Sequence, residues 1–156
     1  MAEKNLQRKE LDELLVAFWQ TFPPIWHATR SLTHQTASEE FGITAAQFHT
    51  LQRIREGKTS VSALADCMHL SRPNISRSVD ELVNMGLVER QPEAADRRGI
   101  NLSLTAKGRV LVANMLEAIG AKMKSRLARL EISETKAIES ALAALRKAFV
   151  EQENTQ

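Results

Sequence analysis

The chain has 156 residues, 43% apolar and 26% charged, with 21 basic against 19 acidic groups for a net charge of +2. That is the balance of one ordinary globular domain, or one domain with an extension, and its charge is too mild to imply a nucleic-acid partner by itself. No apolar run approaches the ~20 residues that a membrane-spanning helix requires, and the stretch from Met1 to Lys9 is polar, unlike a secretory signal. The single Cys67 excludes an internal disulfide and a cysteine-cluster zinc site, and suits a reducing cytoplasm. Six Gly and four Pro leave room for long regular elements. The expectation is a cytoplasmic, mainly helical protein with no membrane partner.

Leu11, Leu14, Leu15, Phe18, Trp19 and Phe22 recur at spacings of three and four, which predicts an amphipathic helix. Pro23-Pro24 predicts a break there, with a second helix starting near Thr21 or Phe22 and stopping at Gly42. Thr44 and Gln47 form a capping-box pattern that opens a helix with Phe48, Leu51 and Ile54 inward. Ser60 predicts the cap of a short helix carrying Val61, Leu64, Ala65 and Met68. After a tight turn at His69 and Leu70, Ser71 predicts the cap of a further helix, with Pro73 in its first turn and Ile75, Val79, Leu82 and Val83 inside. Leu87 to Arg90 and Ile100 to Leu104 read as the strands of a hairpin around a polar turn, Pro92 to Gly99. Thr105 caps a long helix with Val112, Leu116, Ile119, Met123, Leu127 and Leu130 on one stripe. Ser133 is expected to cap the last helix, which carries Ile138, Leu142, Leu145 and Phe149.

A short capped helix, a tight turn, a second capped helix and a two-stranded hairpin make a winged helix-turn-helix. The fold class expected is mainly α with a small β-hairpin, flanked by N- and C-terminal dimerisation helices. The second helix of the pair has Arg72, Pro73, Asn74, Arg77, Asp80 and Glu81 on its outer side. Short polar residues at a helix start permit close approach to DNA, and the open amides attract phosphate. A three-helix bundle with a solvated polar face is the alternative until the hairpin is counted. The hairpin tip, Asp96-Arg97-Arg98, offers arginine to a minor groove, with Asp96 near enough to orient Arg98. Taken alone, such a turn also reads as a solvated charged loop.

Gly42 to Phe48 (GITAAQF), Leu64 to Arg77 (LADCMHLSRPNISR), Leu82 to Arg90 (LVNMGLVER), Asp96 to Arg98 (DRR) and Leu102 to Gly108 (LSLTAKG) together resemble MarR-type regulators, the multiple-antibiotic-resistance family. The resemblance covers about residues 25–150 in order and spacing. It implies a homodimeric bacterial transcription factor, usually a repressor released by a small molecule or an oxidant, with double-stranded DNA as partner. Carried over residue by residue, it implicates Ser71, Arg72, Pro73, Asn74, Ser76 and Arg77 of the recognition helix, Arg98 in the minor groove with Asp96 orienting it, and Arg97 on phosphate. The division it implies is residues 42–109 as DNA-binding lobe and residues 1–41 with 110–156 as dimerising region. The helix before Pro23-Pro24 departs from many members, in which it is shorter or missing.

Trp26 stands beside His27, Arg30 and His34, which share a helical stripe, and Phe48 follows on the next helix. The resemblance implies a crevice for aromatic carboxylates or phenols, and a cation beside aromatic rings suits such an effector. Alternatively, Trp26 is core and the stripe is solvated or lies at the dimer seam. Cys67 stands beside Asp66 with no obvious cation next to it in the sequence, and reads as an inert, partly buried thiol. The four histidines lack metal-ligand spacing, and no phosphate loop or nucleophile–base pair is present. No metal, cofactor or catalytic residue is expected. An architectural DNA binder and a helical dimer acting through another protein remain the rival readings.

Overall fold

Capping residues and apolar spacing set most of the helix boundaries, and the architecture follows from them. A computed structural model describes residues 2–92 and 100–151, with side chains from residue 8 onward. The chain divides into two compact units, Met1–Ile119 and Gly120–Gln156. Its elements are α1 (Ala2–Gln35), a π-helical turn (Thr36–Glu40), α2 (Ala45–Arg55), α3 (Val61–Met68), α4 (Arg72–Asn84), β1 (Val88–Pro92), β2 (Ile100–Leu104), α5 (Ala106–Leu127) and α6 (Ile132–Phe149). The two strands pair antiparallel, from Val88 opposite Leu104 to Pro92 opposite Ile100. The hairpin tip expected between them, Asp96, Arg97 and Arg98 included, lies outside the described residues.

The predicted break at Pro23-Pro24 does not occur: both prolines lie inside a continuous α1. Proline's fixed φ is compatible with a helix, and the two missing amides strand only the carbonyls of Trp19 and Gln20. Both of those residues are exposed, so water can hydrate the stranded groups. Ser71 occupies the predicted N-cap position of α4, but its hydroxyl makes no capping bond. Pro73 has no amide at the second helical position, and the amide of Asn74 donates instead to the Ser71 carbonyl at 3.0 Å. The cap of α6 is Glu131, two residues before the expected Ser133. Glu134, three residues on, accepts the Glu131 amide at 2.8 Å and closes the box there. Leu130 falls beyond the end of α5, not on its stripe.

The core of the first unit is built inward from the helix-turn-helix. Leu51 of α2, Leu64 of α3, Val79 and Leu82 of α4, Leu102 of β2 and Val112 of α5 are fully enclosed. The amide of Leu102 donates to the Thr59 carbonyl at 2.7 Å, so the segment before α3 runs along the edge of the hairpin. Thr44 and Gln47 make both bonds of the predicted capping box, and the Ser60 hydroxyl accepts the Ala63 amide at 3.1 Å. His69 takes the left-handed conformation, φ 52°, and turns the chain tightly between α3 and α4. Unit two holds the end of α5 and all of α6, in which no residue is buried.

One joint positions α4 against α5. The Thr105 hydroxyl donates to the Gly86 carbonyl at 2.7 Å and accepts the Gly108 amide at 3.0 Å. The Lys107 ammonium donates to the Met85 carbonyl at 2.9 Å, a cation at the negative end of α4. Gly108 lies so close to the Leu87 backbone that a Cβ at this position would collide with the Leu87 carbonyl. Both sides of that contact are main chain, so neither can yield by rotating a side chain. Gly108→Ala is therefore expected to destabilise the protein by about 1–3 kcal/mol, read as a lowered urea midpoint with an unchanged slope.

Candidate nucleic-acid interface

The outer side of α4 exists because its apolar residues are confined to one stripe. Ile75, Val79 and Leu82 are buried, which turns Arg72, Pro73, Asn74 and Arg77 outward. Ser71, immediately before the helix, is also exposed, whereas Ser76 is half-buried. Of the residues expected to meet DNA, the structure thus brings Ser71, Arg72, Pro73, Asn74 and Arg77 to one exposed helical start.

Arg77 is held in place there. Its Nη2 donates to Asn74 Oδ1 at 2.7 Å, one turn earlier on the same helix. Because the Asn74 amide is neutral, this bond fixes the guanidinium without neutralising it, and the remaining donors stay available to an acceptor. The two carboxylates of α4 are engaged from other elements. Asp80 Oδ1 lies 2.7 Å from Arg90 Nη2 of β1, which anchors α4 to the hairpin. Glu81 Oε2 accepts Gln47 Nε2 of α2 at 2.8 Å. The sequence pointed to Arg90 as the end of a hairpin strand and to Gln47 as half of a capping box. Their cross-element partners became evident only in three dimensions, since nothing in the spacing of residues 47 and 81 announces the contact.

Thr44, Gln47, Asn74, Arg77, Ser78 and Glu81 line an open recess of about 270 Å³ between the start of α2 and the outer side of α4. The Ser78 hydroxyl is buried without a hydrogen-bond partner among the described residues. A second recess lies at the foot of the hairpin, where Arg55, Asn101, Ser103 and Arg109 meet. Arg109 is tied down there by a bond from Nη1 to the Leu104 carbonyl at 2.6 Å.

The residues expected to hold an effector are distributed differently. Trp26, His27, Arg30 and His34 are exposed on α1, with Trp26 56% accessible. Phe48 is not at an open surface: it is 2% accessible and belongs to the core of the first unit. Neither recess is lined by any of these five residues. Cys67 is half-buried. No helix among the described residues is long and apolar enough to cross a membrane.

A MarR family model matches residues 41–99, which span the core of the helix-turn-helix and the first strand. Among solved structures, wild-type MarR from E. coli in its apo form is 25% identical and superposes with a TM-score of 0.73, over 81% of this chain and 93% of that one. The transcriptional regulator Tm0710 from Thermotoga maritima is 24% identical with a TM-score of 0.73, over 90% of this chain and 99% of that one. A single-site mutant of MarR from E. coli, complexed with operator DNA, is 24% identical with a TM-score of 0.62, over 84% of this chain and 94% of that one.

Proposed function

The chain is a MarR-type winged-helix regulator, and from that premise we propose that it is a homodimeric repressor of a pseudo-palindromic operator, released by a small aromatic or phenolic ligand. In this reading residues 42–109 form the DNA-binding lobe, and residues 1–41 with 110–156 form the dimerising region. The observation that carries the DNA reading is Arg77, exposed on the outer side of α4 and oriented by Asn74 at 2.7 Å. An arginine so placed at a recognition helix suits the O6 and N7 acceptors of guanine in the major groove. The operator complex of the E. coli mutant supports the same use of this fold. In this reading Asp96, Arg97 and Arg98, which lie outside the described residues, supply the minor-groove contacts.

Two duplexes test the division of labour between the arginines: one selected by the wild-type chain from a randomised pool, and its scrambled counterpart. A bidentate arginine–guanine pair discriminates by about 1–3 kcal/mol. Arg77→Ala is expected to weaken binding to the selected duplex by that order and to leave the scrambled duplex much less affected. Arg98→Ala is expected to weaken both and to lower the salt dependence by roughly one released counterion per half-site. Half-sites are expected at a spacing of about 10–10.5 base pairs or a multiple of it. Equal losses on both duplexes for Arg77→Ala would remove α4 from the role of base reader.

Apolar exposure supports the dimer. Leu14 and Trp19 on α1 are 61% and 68% accessible, and Leu142 and Phe149 on α6 are 61% and 64% accessible. Large apolar side chains left open in series on each of these helices are the usual mark of an interface, and a symmetric second copy would cover the same residues on both chains. Light scattering at micromolar concentration is expected to give twice the mass of one chain; the mass of one chain would refute the dimer.

The effector part rests on Trp26 and Arg30, exposed together on α1. An indole face beside a guanidinium suits an aromatic carboxylate. Trp26→Ala and Arg30→Ala are expected to blunt release from DNA by salicylate-like acids, without changing DNA affinity in their absence. A full response in both variants would place the ligand elsewhere.

A further inference from the structure

Arg77 and Glu81 stand four residues apart on α4, the spacing at which opposite charges pair along a helix. They line the same recess, yet they are engaged elsewhere: Arg77 with the neutral Asn74 at 2.7 Å, and Glu81 with Gln47 at 2.8 Å. Asp80, the other carboxylate of α4, is taken by Arg90 of β1 at 2.7 Å. Each acidic group of the helix is therefore drawn off by a residue from another element. Among the described residues neither Arg72 nor Arg77 forms an ion pair with a carboxylate.

We propose that Gln47 is a positioning residue for base readout: by holding Glu81, it keeps the carboxylate from closing onto the fork of Arg77. This rests on the reading of Arg77 as a base reader. The Gln47 side chain is divided between two tasks. Its Oε1 accepts the Thr44 amide at 2.9 Å and completes the capping box of α2, while its Nε2 reaches Glu81. The same side chain thus fixes the start of α2 and the charge pattern of α4. A carboxylate bound to the guanidinium fork occupies the paired donors that guanine O6 and N7 require. Without the amide of Gln47, the nearest cation for Glu81 at helical spacing is Arg77.

Gln47→Glu isolates the second task. Glutamate at this position still accepts the Thr44 amide, so the capping box survives, but it has no hydrogen to donate and it repels Glu81. Wild type, Gln47→Glu, Glu81→Gln, the double variant Gln47→Glu/Glu81→Gln and Arg77→Ala are titrated with the selected and scrambled duplexes at matched salt, with melting temperatures recorded for each. Gln47→Glu is expected to weaken the selected duplex by about tenfold or more, the order of one lost arginine–guanine pair, and the scrambled duplex by far less. The double variant restores the bond with its polarity reversed and the original charge, and is expected to return close to wild-type affinity. Glu81→Gln alone is expected to bind as tightly as wild type, and all of these positioning variants to melt near the wild-type temperature.

Equal losses on both duplexes for Gln47→Glu would assign its effect to general repulsion of DNA and overturn the proposal. So would a double variant as weak as Gln47→Glu, or a relaxed base preference in Glu81→Gln, which would make Glu81 itself a reader of cytosine N4. If Arg77→Ala loses selectivity while Gln47→Glu does not, the positioning role alone falls. If Arg77→Ala loses none, the base-reading assignment falls and the positioning role with it.

Discussion

The C-terminal end of α4 is set by the close approach of Gly108 to the Leu87 carbonyl, and the candidate interface depends on it. Here the end of α4, the start of β1 and the first turn of α5 share one small volume. Thr105 fills it with a hydroxyl that donates to Gly86 and accepts from Gly108, and Lys107 closes the open carbonyl of Met85. The last carbonyls of a helix have no partner within it, and Thr105 and Lys107 at the start of α5 supply partners for those of Gly86 and Met85. The run from Leu104 to Gly108 is thereby explained as a joint: Thr105 for a two-way hydroxyl, Gly108 for the absence of a Cβ. A helix fixed at its C-terminal end by main-chain contacts can present its N-terminal end in one orientation.

The polar side of α4 is organised by contacts that reach outside the helix. Asp80 is bound by Arg90 of the hairpin and Glu81 by Gln47 of α2, so the helix keeps its cations unneutralised while its carboxylates tie it to its neighbours. These are exposed pairs and contribute little to stability individually. Their effect is on charge placement: they decide which donors and acceptors the outer surface offers. The same logic explains why Arg90, one of several arginines in this stretch of sequence, belongs to the scaffold, whereas Arg77 with its neutral partner is available to a ligand.

The helices at the two ends differ in character from the enclosed first-unit core. Leu51, Leu64 and Val79 are enclosed by neighbours from other elements, whereas α6 has no buried residue and α1 shows Trp19 and Leu14 to solvent. Amphipathic helices gain most of their stability from packing the apolar stripe. On α1 and α6 that stripe leaves Leu14, Trp19, Leu142 and Phe149 exposed.

The helix-turn-helix, the hairpin strands and the Thr105 cap were legible in the residue order alone, because each depends on short-range chemistry. Thr44 with Gln47, Ser60 and Thr105 satisfy amides within three residues of themselves, and the apolar spacing from Phe48 to Leu82 can be buried on one side only. The sequence was misleading where local preference competes with context. Pro23-Pro24 reads as a break, yet an exposed helix tolerates it because water meets the stranded carbonyls. Ser71 reads as a hydroxyl cap, yet Pro73 removes one amide and the chain's own carbonyl takes the next. Phe48 was read both as an inward residue of its helix and as a member of the effector group, and tertiary packing keeps it in the core. Only the folded chain decided which arginines of the middle segment are neutralised, since Arg90 meets Asp80 and Gln47 meets Glu81 across separations for which sequence has no period. Pair distances between elements follow from how the elements pack, and packing is a property of the whole core, not of any segment within it.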